Sequence, residues 1–348
     1  MIGAGPAGSV AALVLSRAGV PVTLLAPPER DVLAIGEGLP PAMRPVLDSL
    51  GLSARIEAQG HRHALGNRSA WGSERLSETD FIMHPFGHGW HLDRRAFDAG
   101  LVDAALEAGA FLVRGSLRDV DGGPGAWRAI VATGAGRSTI VADMVIDCSG
   151  RRAAFARRQG ARRHRVDRLI ACAAVFASPA PDPDATTLIE AVADGWWYTA
   201  RLPGATRILM FMTDSDLPSA REVRAPGAFR RRLAQTQHVG PLCEARRHDM
   251  ASPLRVVAAD TGRLDIVCGD GWLAAGDAAA SFDPISSQGI MSAMQLGQRA
   301  ADAVLHGTSR EYGAAVEALY DRYIAVRAAV YAQERRWADA PFWERRHR

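Results

Sequence analysis

Gly3-Ala4-Gly5-Pro6-Ala7-Gly8 is the segment that most limits what this chain can fold into. In a G-x-G-x-x-G turn the first glycine permits a tight bend and the second lets the backbone approach a pyrophosphate. The third lets the following helix pack closely. Pro6 and Ala7 stand where that helix begins, and its first amides offer donors and a positive dipole end to an anion. Two features depart from the pattern. The strand that should precede the turn is cut to Met1 and Ile2, as if the start were misassigned or the protein truncated. Ala26 also occupies the place of the carboxylate expected to hold ribose hydroxyls, with Glu29 in the adjoining loop as a substitute.

The pattern around the turn is that of a parallel α/β fold. Residues 6–18 read as a small-residue helix, 20–25 as a short apolar strand and 97–109 as an amphipathic helix. Short strands between glycine turns fill 110–147, and Gly134-Ala135-Gly136 fits a hairpin, not a second nucleotide loop. Strand-like runs at 171–177, 196–200 and 208–213 dominate 169–258, and helix returns at 286–306 and 310–337. The expected fold class is therefore α/β: a Rossmann-like nucleotide-binding domain with an inserted, mainly antiparallel β-sheet substrate domain and a C-terminal helical tail. Residues 1–60, 92–165 and 260–305 are assigned to the first, 61–91 and 166–259 to the second, and 306–348 to the tail.

Composition removes several function classes. No apolar run approaches the roughly 20 residues that span a bilayer, so a cytoplasmic protein without membrane contact is expected. Cys148, Cys172, Cys243 and Cys268 are scattered without metal-ligand spacing and read as reduced core residues, with no metal site. Eight arginines lie between Arg151 and Arg168, but apart from Phe155 and His164 the segment lacks the interleaved aromatics that stack bases, so it reads as a solvated face and not as a nucleic-acid site. All 41 Lys and Arg residues are arginine; no lysine occurs.

Further motifs specify the nucleotide. Leu273-Ala274-Ala275-Gly276-Asp277-Ala278-Ala279 is an apolar strand running into Gly-Asp, which places Asp277 to bind a ribityl or ribose hydroxyl. Phe282-Asp283-Pro284-Ile285-Ser286-Ser287-Gln288-Gly289-Ile290 then enters a helix whose first amides suit the negative edge of a reduced flavin or another anion nearby. Leu92-Asp93-Arg94-Arg95-Ala96-Phe97-Asp98 and Ile146-Asp147-Cys148-Ser149-Gly150 complete the ordered set.

With these four segments the chain resembles the FAD-dependent monooxygenase superfamily, which includes aromatic hydroxylases, flavin-dependent halogenases and geranylgeranyl reductases. The resemblance implies FAD as cofactor, Arg94 on the flavin or its pyrophosphate, Gly150 beside the adenine half, Asp277 after Gly276 on a hydroxyl, and Pro284, Ser287, Gln288, Gly289 and Ile290 around the isoalloxazine. Gly36-Glu37-Gly38-Leu39-Pro40-Pro41, Ser286-Ser287-Gln288-Gly289 and Trp196-Trp197-Tyr198-Thr199-Ala200-Arg201-Leu202-Pro203 are similar to elements of the halogenase branch. Halogenases of this type engage hypohalous acid with a lysine, which this sequence lacks.

Gly66-Asn67-Arg68-Ser69-Ala70-Trp71-Gly72, Gly89-Trp90-His91-Leu92-Asp93-Arg94, Gly195-Trp196-Trp197-Tyr198 and the terminal Glu334-Arg335-Arg336-Trp337 and Pro341-Phe342-Trp343-Glu344-Arg345-Arg346 resemble halogenase-related flavoproteins that oxygenate a tryptophan during tryptophylquinone maturation. The implied activity is hydroxylation through a flavin hydroperoxide of an aromatic substrate, such as an indole, tryptophan or pyrrole. That substrate is free or carried on a protein or peptide. NAD(P)H acts indirectly or through a separate flavin reductase. Glu37 is the preferred acid/base, ahead of His84, His88 and His91, and Trp197 and Tyr198 are expected to shape the substrate wall. Two other readings stay open: a geranylgeranyl-reductase-like reductase of alkenes, and a flavin-free scaffold without catalysis.

Overall fold

The computed structural model describes residues 1–28, 35–179 and 182–347. Glu29 lies outside the described residues. The helix Pro6–Arg17 starts on a proline, whose missing N–H costs nothing there and whose fixed φ suits the first turn. Beneath it runs a parallel sheet. Thr23–Ala26 pairs with the start of Phe111–Asp121, and Val145–Asp147 pairs with Trp272–Ala274.

Ile2 joins these two pairs. It bridges in parallel to both Leu25 and Asp147, with its N–H on Ile146 O at 3.0 Å and its carbonyl accepting from Cys148 N at 2.9 Å. The short stretch before the glycine turn thus fills the centre of the sheet. The glycine turn emerges at the carboxyl ends of these strands, where ligands bind in folds of this type.

Beyond the parallel register, Phe111–Asp121 shifts at Leu117/Asp119 and continues into an antiparallel meander with Trp127–Thr133 and Gly136–Ala142. The last two strands are joined by the expected Gly134-Ala135 turn. The helix Gly289–His306 crosses Pro6–Arg17 at close range because Gly297 faces it; a Cβ there would sit 2.2 Å from Ala7 O.

The second sheet has eight strands, centred on Leu169–Ala177, Thr206–Asp214, Gly195–Arg201 and Thr186–Val192. It is antiparallel except where Thr186–Val192 runs parallel to Gly66–Ala70. Alternation along each strand separates two faces. Ala171, Ala173, Trp196, Tyr198, Ala200, Met210 and Met212 belong to one apolar cluster, and Cys172, Phe176, Leu188, Trp197, Leu209 and Phe211 to another.

The second face is covered by Pro218–Glu222, Pro226–Ala234 and Val239–Ala245, three helices within a stretch whose sequence reads mainly as strand. Pro226–Ala234 presents only Phe229 and Leu233 to the sheet, an i, i+4 stripe among arginines that is too narrow to stand out in sequence.

The tail helix Ser309–Tyr331 ends six residues before the expected limit at 337. The chain turns there because the buried Glu334 carboxylate accepts from Gly72 N at 2.8 Å and from its neighbour Arg336. The final helix Pro341–His347 then buries Phe342 and Trp343 on the first sheet face, with Trp343 Nε1 donating to Val192 O at 2.9 Å.

Candidate functional site

A cavity of about 450 Å³ opens between the glycine turn and the first face of the large sheet. Its nucleotide side is lined by Gly5, Pro6, Ala7, Arg94, Gly150, Arg151 and Asp277, and its far side by Ala171, Tyr198, Met210, Met212 and Val257. Glu37, Pro284, Ser287, Gly289 and Ile290 lie between them.

The three motif glycines divide the work. Gly3, at φ +110°, has no room for a Cβ, which would lie 2.2 Å from Cys148 O, and at Gly8 it would lie 1.9 Å from Gly3 O. Both lie outside the lining and shape the turn. Gly5 is different: a Cβ there would meet nothing within 4 Å, so its backbone faces open space. Gly276, at φ +60°, likewise packs against Ala7, while Asp277 beside it reaches the cavity.

Arg94 is the first residue of the helix Arg94–Glu107, whose N-cap Asp93 accepts from Arg95 N and Ala96 N. Its Nη1 donates to Ile35 O at 2.7 Å and Gly36 O at 2.6 Å, and its Nη2 pairs with Asp98 at 3.1 Å. Arg94 therefore fixes the loop that carries Glu37, while its buried Nε has no hydrogen-bond partner. That orphaned donor, the open backbone at Gly5 and the open helix start at Gly289 fit a dinucleotide with an anionic centre.

Glu37 is 3% exposed. Burial raises its carboxyl above the ordinary range, against the lowering effects of a hydrogen bond from Tyr198 and the Arg94 charge. The Tyr198 hydroxyl is pushed well up by burial and by Glu37. A carboxyl at the cavity wall that resists ionisation can hold a proton where an ordinary carboxylate would not.

Several expected site residues lie elsewhere. Trp197 does not wall the cavity: it points from the opposite face onto Phe211 and Phe229, with ring centroids 5.1 Å and 4.9 Å away. Successive strand residues face opposite ways, so Trp197 and Tyr198 cannot line one surface. His91 is also outside the lining, buried with Nε2 at 3.0 Å from Thr187 Oγ1. His84 packs on Phe81 and Phe86, and His88 stacks on His63. Gln288 is exposed at the mouth of the helix and is not part of the lining.

Asp147, in the Asp-Cys-Ser-Gly element, accepts from Ser149, Phe155 and Ala156 amides at 2.8–3.0 Å and so shapes its own loop. Within the arginine-rich segment, Arg151 and Arg163 turn inward while the others are exposed. Arg163 donates to Asp277 O and Ala278 O, and Arg151 lines the cavity with Nε 3.5 Å from Asp277. These two correct the reading of the whole segment as a solvated face. Arg151, Met210 and Met212 are cavity residues that the sequence motifs did not single out.

The pattern that defines the FAD binding domain family matches residues 1–338. The chain belongs to that family. This flavoprotein is 27% identical over 354 residues to LodB of Marinomonas mediterranea, named as an FAD-dependent oxidoreductase, covering 100% of this chain and 96% of that one. Among solved structures it is similar to CmlS, a flavin-dependent halogenase, at 26% identity and a TM-score of 0.87 over 99% of this chain and 66% of that one. It is similar also to QhpG, a peptidyl tryptophan dihydroxylase, at 25% identity and a TM-score of 0.78 over 99% of this chain and 77% of that one. The flavoprotein is thus an FAD-dependent oxidoreductase of the halogenase-like branch, and the flavin-free scaffold reading falls. Among the described residues no helix is long and apolar enough to cross a membrane.

Proposed function

We propose that this flavoprotein is a monooxygenase that hydroxylates an aromatic ring of the indole, tryptophan or pyrrole kind, free or carried on a protein or peptide. The observation that carries the reading is the cavity wall. Glu37 and Tyr198 face the flavin loop across an apolar patch of Met210, Met212, Ala171 and Val257, and no lysine exists in the sequence to engage an oxidised halide.

FAD, when bound, supplies the two electrons that activate dioxygen. The Gly5–Ala7 backbone and the start of Pro6–Arg17 are placed for its pyrophosphate, Asp277 for a hydroxyl, and the turn at 284–289 for the ring system. The methionines offer a polarisable, adaptable surface to a flat ring and keep water from the reacting atoms. Glu37 holds or releases a proton at its carboxyl, with Tyr198 setting the direction of that carboxyl through its hydrogen bond.

The likenesses favour an aromatic substrate, since relatives include a pyrrole-2-carbonyl carrier-protein brominase of Pseudoalteromonas luteoviolacea and a tryptophan 2-halogenase of Chondromyces crocatus. The test supplies FAD, NADH and a flavin reductase, and offers pyrrole, indole, free tryptophan and a tryptophan-containing peptide. Dioxygen uptake that rises with one of these and matches a hydroxylated product supports the reading. Anaerobic saturation of an alkene, with no aromatic oxygenated, would replace it with the reductase alternative.

A further inference from the structure

The strand Arg62–Ala64 pairs with Gly89–His91, which pairs in turn with Gly38–Leu39, in a small sheet of its own. The chain then crosses to the large sheet. Leu65 N donates to Ala185 O at 2.9 Å, and Gly66–Ala70 runs beside Thr186–Val192. The antiparallel register that sets Leu188 against Thr199 carries Arg201, at the end of its strand, to the level of Thr186. Arg62, Leu65, Ala185 and Arg201 therefore meet at the junction of the two sheets, around a cavity of about 340 Å³. His61, His63 and His91 complete its lining, and no residue of this lining also lines the flavin cleft.

The lining holds two guanidinium groups and no carboxylate. The acids nearby are already engaged. Asp182 and Asp184 pair with the buried Arg207 at 2.7 Å and 3.2 Å, and Asp184 also takes Arg68 at 2.6 Å. Glu57 lies 3.3 Å from Arg44 and 3.8 Å from His63. Among the described residues, the Arg62 and Arg201 side chains have no ion pair and no hydrogen bond. Arg201 Nε is buried without a partner, while the residue as a whole is only half-buried. Burial lowers the Arg201 guanidinium below its ordinary value, and the Arg62 charge adds to that effect, against Asp182 and Asp184.

The histidines divide into walls and one open group. Both His61 nitrogens are in use, with Nδ1 accepting from Asp93 N at 3.1 Å and Nε2 donating to Gln59 Oε1 at 3.0 Å. His91 is 1% exposed and forms wall only. His63 is exposed and stacks on His88. The polar groups open to a ligand are thus Arg62, Arg201 and His63.

We propose that this cavity is a second ligand site, in which Arg62 and Arg201 hold a phosphate dianion. Each guanidinium presents a planar fork of donors that matches two oxygens of a tetrahedral anion. Two positive charges without carboxylates match the charge of the dianion, whereas a single carboxylate would offset only one. Leu65, 50% exposed at the rim, gives the organic body of a phosphate ester an apolar shoulder. Phe81 N donates to Leu65 O at 2.8 Å, and the residues that follow, Ile82 and Met83, extend that shoulder on the surface. The site is independent of the oxygenase reading of the flavin cleft.

FAD-saturated protein is titrated with inorganic phosphate, phenyl phosphate and benzoate at an ionic strength held constant with chloride, by calorimetry and thermal unfolding. With FAD in place, its own pyrophosphate site is filled and does not report. Phosphate should bind and raise the melting temperature above the chloride control. Arg62→Gln and Arg201→Gln should each weaken that binding by about ten-fold or more and keep the flavin spectrum. Each variant should melt no lower than the original in phosphate-free buffer, because no ion pair is lost. Phenyl phosphate bound more tightly than inorganic phosphate identifies an organic ester as the ligand, and equal binding identifies inorganic phosphate.

Three results overturn the site. They are phosphate binding no stronger than the chloride control, phosphate binding undiminished when both arginines are replaced, and benzoate bound more tightly than phenyl phosphate. A fall in melting temperature of both variants in phosphate-free buffer, with phosphate binding unchanged, would make the arginines structural and overturn it as well.

Discussion

The Tyr331 hydroxyl donates to Asp283 Oδ2 at 2.7 Å, which ties the end of the tail helix to the loop that closes the flavin cleft. Asp283 is 1% exposed and also receives Arg327 Nε at 3.3 Å, while its Oδ1 accepts from Ile285 N at 2.9 Å. The tail is therefore part of the support for the turn at 284–289. Tyr331→Phe leaves a buried carboxylate one donor short, at a cost of about 1.5–3 kcal/mol. A lower melting temperature together with weaker FAD retention is expected in thermal unfolding and flavin-release assays.

The glycine turn separates folding from cofactor binding. Gly3→Ala places a methyl group on the Cys148 carbonyl at a positive φ, so the sheet centre must shift, and reduced thermal stability is expected even without cofactor. Gly5 has an ordinary φ of −79° and open space around it. Gly5→Ala should melt close to the original protein without flavin yet bind FAD more weakly. Paired melting curves with and without FAD check both outcomes.

Glu37 gives a pH signature of known sign. Its folded carboxyl titrates above the unfolded one because of burial. The native state then binds more protons between those two values, so stability falls as pH rises through that window and levels off above the folded value. Glu37→Gln removes this loss. The variant should be more stable than the original at neutral pH, with the difference shrinking toward acid pH, and it should lose turnover.

Trp197 and Tyr198 are adjacent in sequence and opposite in role. Trp197→Ala empties a core site against Phe211 and Phe229 and should cost about 3–5 kcal/mol. Trp197→Phe, which keeps most of the packing, should leave kcat/KM nearly unchanged. Tyr198→Phe should do the reverse, lowering kcat while the unfolding midpoint moves little. Steady-state kinetics beside denaturant titration distinguish the pair.

These two residues also show what a sequence conceals. The motif order made the FAD-binding half legible because its glycines, Arg94 and Asp277 answer to backbone geometry and charge. The Gly195–Arg201 and Thr206–Asp214 strands are buried on both faces, so polar alternation is absent and nothing in Trp196-Trp197-Tyr198 tells which ring meets the cleft. Met210 and Met212 are hidden for the same reason. The three covering helices were illegible because each is short and shows the sheet only one or two apolar residues.

Oxygenation, and not halogenation, is the chemistry proposed for a cleft in a chain without lysine. The most direct measurement is one reaction containing isotopically labelled dioxygen, excess bromide, reduced FAD and the aromatic panel, read by mass spectrometry. The expected product carries one labelled oxygen atom and no bromine. A brominated product without labelled oxygen would contradict it.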